Sequence, residues 1–66
     1  MSDPDLGEVL FEFRRVGGTV KVTAIHVATA TEVVLVGAAG AGEYALKMAA
    51  LRKLAYVLNR PVGGSG

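Results

Sequence analysis

The sequence predicts an α+β fold, a three-stranded antiparallel β-sheet packed against one C-terminal α-helix. Three observations predict it. Two runs alternate apolar and polar residues and are joined by Gly17-Gly18. A third short apolar run follows. A long segment after it repeats apolar residues at helical spacing.

Residues 1–7 read as a disordered lead-in, because they are acidic and poor in apolar residues. From Glu8 to Val16 the chain alternates, with Val9, Phe11 and Phe13 against Glu8, Glu12 and Arg14. Strand side chains point to opposite faces in turn, so this is a strand with one apolar face. Gly17-Gly18 separates it from a second alternating run, Thr19 to Val27. Two glycines there predict a tight primed turn, which needs positive φ. That turn sets Val16 opposite Thr19, Phe13 opposite Val22, Phe11 opposite Ala24 and Val9 opposite His26. One face then collects Val9, Phe11, Phe13, Val20, Val22 and Ala24 as the expected core.

A third strand is expected from about Thr31 to Gly37. A four-residue loop would set Val27 opposite Glu32 and Ile25 opposite Val34, with Val33 and Leu35 facing the core. The loop itself, Ala28-Thr-Ala-Thr31, lacks glycine, asparagine and proline. We expect Ala30 either to adopt a left-handed conformation or to be avoided by a longer loop. The glycine-rich stretch Gly37 to Gly42 ends the strand, and a helix is expected from about Gly42 to Leu58. At 100° per residue Tyr44, Met48, Leu51, Leu54, Ala55 and Leu58 form one stripe, assigned to the core. Glu43 near its start and Arg52, Lys53 and Arg60 toward its end complement the helix dipole. Pro61 stops it. The domain spans residues 8–60, and residues 61–66 read as a flexible tail.

With 66 residues there is room for one domain. Small domains usually rely on a staple: disulfides, a metal or a partner subunit. There is no cysteine and only one histidine, so neither a disulfide nor a thiolate metal site is available. No cofactor is expected. More than half of the residues are hydrophobic, which leaves a partner chain as the expected staple. No apolar run reaches the roughly 18 residues of a membrane span, and Met1 to Gly7 is unlike a signal peptide. No membrane association is expected, and the expected location is cytoplasmic. The formal net charge of +1 neither recommends nor excludes a polyanion.

No constellation points to catalysis, and the chain is expected not to be an enzyme. The glycines of Gly37 to Gly42 are spaced G-x-x-G-x-G, which is neither the dinucleotide fingerprint nor a P-loop. They read as a strand-to-helix crossover rather than an anion cradle. His26 has no serine near it in the chain, since Ser2 and Ser65 lie in the tails, so it reads as a sheet histidine. Glu8 and Glu12 share a face but read as solvated strand residues.

Two surface features carry more weight. Leu10, Ile25 and Val34 are expected to form an apolar row on the outer sheet face, flanked by Val27 and Val36. On the helix Leu46, Tyr56 and Val57 lie off the expected core stripe, as does Ala49. Contiguous exposed apolar residues mark interfaces. The second feature is basic: Arg14 faces Lys21, with Arg15 adjacent. Joined by Arg52 and Lys53, these could meet an anion.

The run G-E-V-L-F-E-F-R-R-V from Gly7 to Val16 resembles a family of small uncharacterised alphaproteobacterial proteins. So do Val20-Lys-Val-Thr-Ala-Ile25, Thr31-Glu-Val33, Ala50-Leu-Arg-Lys-Leu54 and Tyr56-Val-Leu58. That family is a domain of unknown function, so the resemblance implies no activity, cofactor or site. Its second loop reads Asp-x-x-Thr-Gly-x-Glu, with His26 and Ala30 standing here at the aspartate and glycine positions. The architecture is also similar to the later part of double-stranded-RNA-binding domains and to the small DNA-binding domains of integrases. Glu43 and Tyr44 occupy the helix start where the former carry phosphate-binding lysines. The leading reading is therefore a structural or interaction module that forms a homo-oligomer. The alternative is a small nucleic-acid-binding domain using Arg14, Arg15 and Lys21.

Overall fold

The computed structural model describes residues 7–59. The elements run β1 (Val9–Val16), β2 (Thr19–His26), β3 (Thr31–Ala38), a short 3-10 turn (Ala39–Ala41) and α1 (Glu43–Asn59). The three strands form one antiparallel sheet in the order β1-β2-β3. The expected α+β architecture is therefore present. The lead-in, apart from Gly7, and the tail lie outside the described residues, as does Arg60.

The β1–β2 register is the expected one, from Val16 opposite Thr19 to Val9 opposite His26. Gly17 has φ 58°, and Gly18 is not at positive φ. Positive φ at the first loop residue alone is the pattern of a II′ turn. The Thr19 hydroxyl donates to the Val16 carbonyl at 2.9 Å and closes the turn from the side.

The β2–β3 register differs from the sequence expectation by two residues. Ile25 lies opposite Glu32, Ala24 opposite Val33, and Thr23 opposite Val34. The loop is therefore residues 27–30, not 28–31. Val27 opens the loop, while its amide continues the β1–β2 ladder by donating to Glu8 O at 3.1 Å. Ala30 takes φ 59°, and its amide donates to Val27 O at 3.3 Å. The left-handed alternative expected for Ala30 is the one observed. Because the shift is even, no side chain changes face, and Val33 and Leu35 still point toward the helix.

The core consists of Val22, Ala24 and Val33 from the sheet and Leu46, Ala50 and Leu54 from the helix. Leu51, Val57 and Leu58 pack around it, as do Val9, Phe11, Phe13, Val20 and Leu35. This corrects the expected helix stripe. Leu46, placed on the free side by sequence, is only 7% exposed, whereas Tyr44, placed in the core, is 74% exposed. Val57 also packs on the core. The buried meridian runs Leu46, Ala50, Leu54, at i, i+4, i+8. Two features pull α1 to this side. Ala50 lets the backbone approach the sheet, and Gly37 leaves space on β3 that Leu46 fills: a β-carbon there would overlap Leu46 Cδ2.

At the helix start, Gly42 has φ 94°, and its carbonyl accepts the Leu46 amide at 3.2 Å. Glu43 stands in the first turn, as the dipole argument expects. No basic residue lies in the last described turn. Lys53 instead turns back to the sheet, and its Nζ donates to Val34 O at 2.7 Å.

Candidate interaction surface

Helix α1 packs on β3 and β2 and meets β1 only at its margin. The two edges of the sheet therefore differ. A two-residue turn makes Val16 and Thr19 exchange ladder hydrogen bonds, so bonded pairs recur at every second residue of β1. The Val27 amide on Glu8 O continues that series. Even-numbered residues of β1 thus turn their amides and carbonyls to β2, while Phe11, Phe13 and Arg15 turn theirs to the open edge. The same alternation carried across β2 turns the Val34 carbonyl to the open edge of β3, where Lys53 caps it. Among the described residues no side chain does this for β1.

Beside that bare edge lies a shallow cleft between β1 and the first turns of α1. Phe11, Phe13, Glu43, Tyr44 and Lys47 line one part. Phe13, Arg15, Val20, Ala39, Glu43 and Leu46 line the adjoining part. Lys47 Nζ lies 5.2 Å from the centre of the Phe11 ring, within range of a cation–π contact. Phe11 and Phe13 are half-buried rather than enclosed.

The expected interface residues separate into two sets. Leu10, Val27, Val34, Val36 and Tyr56 are exposed, and Ile25 is half-buried. Leu46 and Val57 belong to the core. The outer row is also broken, because the observed register gives Leu10–Ile25–Glu32 and Glu12–Thr23–Val34 as the cross-strand rows. Val34 thus sits beside Thr23, which is buried under its neighbours at the sheet centre. Val16, missed by the sequence reading, is 61% exposed at the end of β1. Its position beside the turn is what leaves it uncovered.

The basic residues are not gathered into one patch. Arg14 and Lys21 face each other on the outer side. Arg15, one residue along the strand, points to the helix side, and its Nε donates to Gly17 O at 3.3 Å. Lys53 is engaged at Val34, and Arg52 is exposed on the helix.

His26 is buried at the end of β2 beside Val9. Its Nδ1 is 2.7 Å from Thr29 Oγ1, which is 2.7 Å from Thr31 Oγ1. This chain of polar groups ties the loop to the strand end. Among the described residues no group of three or more potential ligands could hold a metal, and no helix is long and apolar enough to cross a membrane.

A family described as a domain of unknown function (DUF6898) matches residues 6–61. The chain belongs to that family. No curated protein and no solved structure matches.

Proposed function

We propose that this member of the DUF6898 family is a non-enzymatic interaction module of the cytoplasm that associates with copies of itself. One observation carries the reading: the single helix leaves β1 uncovered, so that apolar side chains line an open sheet edge and the cleft beside it. Tyr44, Leu10 and Val16 are each about half exposed or more on this side of the domain. A chain of this size gains little from its own interior, and burying such surface against a partner supplies the missing stabilisation. The cations are divided between two sheet faces, which argues against nucleic-acid binding as the leading reading.

Sedimentation velocity at protein concentrations two decades apart tests the proposal. The expected result is an apparent mass that falls on dilution. A monomer throughout that range overturns it.

A further inference from the structure

We infer that the partner is a second copy of this chain, added antiparallel through β1 about a twofold axis at Phe13, so that two three-stranded sheets become one of six strands. This rests on reading the domain as a self-associating module and names the surface that does it.

The backbone supplies the first argument. The amides and carbonyls of Phe11, Phe13 and Arg15 face the open edge. In an antiparallel pair centred on Phe13, Phe13 meets Phe13 of the second copy, and Phe11 meets its Arg15. Those pairs would exchange about six backbone hydrogen bonds. The helix does not obstruct the approach, since it lies over β2 and β3.

Side-chain chemistry selects this register over its neighbours. On the outer face Glu12 falls opposite Arg14 of the second copy, and Arg14 opposite its Glu12. Leu10 falls opposite Val16, and Val16 opposite Leu10. On the helix face the Phe11 ring meets the Arg15 guanidinium twice, a cation–π pairing. All seven residues from Leu10 to Val16 find a complementary partner. Centring the pair on Glu12 or on Arg14 sets a like charge opposite itself, which is unfavourable. Centring it on Phe11 leaves Glu12 opposite Leu10. Strand registers that preserve side-chain facing differ by even steps, so these are the immediate competitors.

Charge reversal tests the inference without touching the core, because Glu12 and Arg14 are both exposed. Glu12→Arg alone and Arg14→Glu alone each convert two attractive pairs into two repulsive ones. Each should weaken self-association by about ten- to a hundredfold. Mixing the two variants should restore it, because every 12–14 pair between unlike chains is again of opposite sign. The doubly reversed protein should also associate like the parent. Val34→Glu, on the outer face away from this edge, should leave association unchanged. Amide exchange provides a second readout, with protection of Phe11, Phe13 and Arg15 rising with protein concentration. If the parent associates but the mixture of single variants does not recover, the edge is wrong while self-association stands. Loss of association in Val34→Glu alone would move the interface to the sheet face. A parent that stays monomeric overturns both.

Discussion

Leu46 of the helix occupies the space that a side chain at Gly37 of β3 would fill. The pair fixes both how closely α1 approaches the sheet and which of its faces turns inward. Gly37→Ala should therefore push Leu46 from its position and destabilise the domain by about 1–2 kcal/mol. The cost is moderated because the obstructing atom is the end of a flexible side chain. A double-mutant cycle with Leu46→Ala checks this in denaturant melts. In the Leu46→Ala background the added methyl should be neutral or stabilising. Equal effects of Gly37→Ala in both backgrounds would refute the pairing.

The first hairpin should distinguish its two glycines. Gly17→Ala places a β-carbon at φ 58° and should cost about 1–2 kcal/mol. Gly18→Ala meets nothing within 4 Å and has no positive φ to sustain, so it should change stability by no more than about 0.5 kcal/mol. Thermal melts of the two single variants at equal concentration provide the comparison. A larger loss at Gly18 would contradict the II′ assignment.

Ala30, at φ 59°, is the one described non-glycine residue in the left-handed region. Replacing it with glycine relieves the steric cost of the β-carbon but adds freedom to the unfolded chain. The expected net effect of Ala30→Gly is a stabilisation of about 0.5–1 kcal/mol. Chemical denaturation of both proteins measures it, and a clear loss would show that the loop carries no such strain.

Nucleic-acid binding should be weak. Arg14 and Lys21 share the outer face, but Arg15 faces the other way and Lys53 is held at Val34. Phosphate contacts dominate such affinity, and two neighbouring cations supply few of them. Titrating labelled duplex RNA, duplex DNA and single strands at low salt should give no submicromolar binding. Tight, salt-sensitive binding lost in an Arg14→Ala/Lys21→Ala variant would reverse the ranking of functions.

The first hairpin was readable because two independent signals agreed: the glycine pair fixed a register, and that register matched the apolar faces of both strands. Alternation alone fixes only parity. It therefore placed Val33 and Leu35 on the correct face while leaving β3 two residues out of register, since the Val27–Ala30 turn that sets the register, with Ala30 at φ 59°, has no glycine or asparagine to mark it in the sequence. The helix face was misread for another reason. Apolar residues surround α1, so two large ones near its start, Tyr44 and Met48, drew the stripe away from the true meridian. What decides it is small: Gly37 and Ala50, residues that signal by the absence of bulk. The separation of Arg15 from Arg14 was legible from strand alternation. The difference between the two sheet edges was not, because it depends on where the tip of Lys53 comes to rest.

That lysine has a consequence for stoichiometry. A sheet with two bare margins can add copies at both and grow into an unlimited fibre, whereas one with a single bare margin stops once that margin is matched. A charged group held at the Val34 carbonyl makes the β3 side a poor template for another strand. Assembly through β1 would then terminate at two copies by construction, and the outermost strands of the pair would each carry their own stopper. Replacing Lys53 with a short apolar residue should remove that limit. Copies adding at both margins would then give polydisperse species that scatter light and bind amyloid dyes.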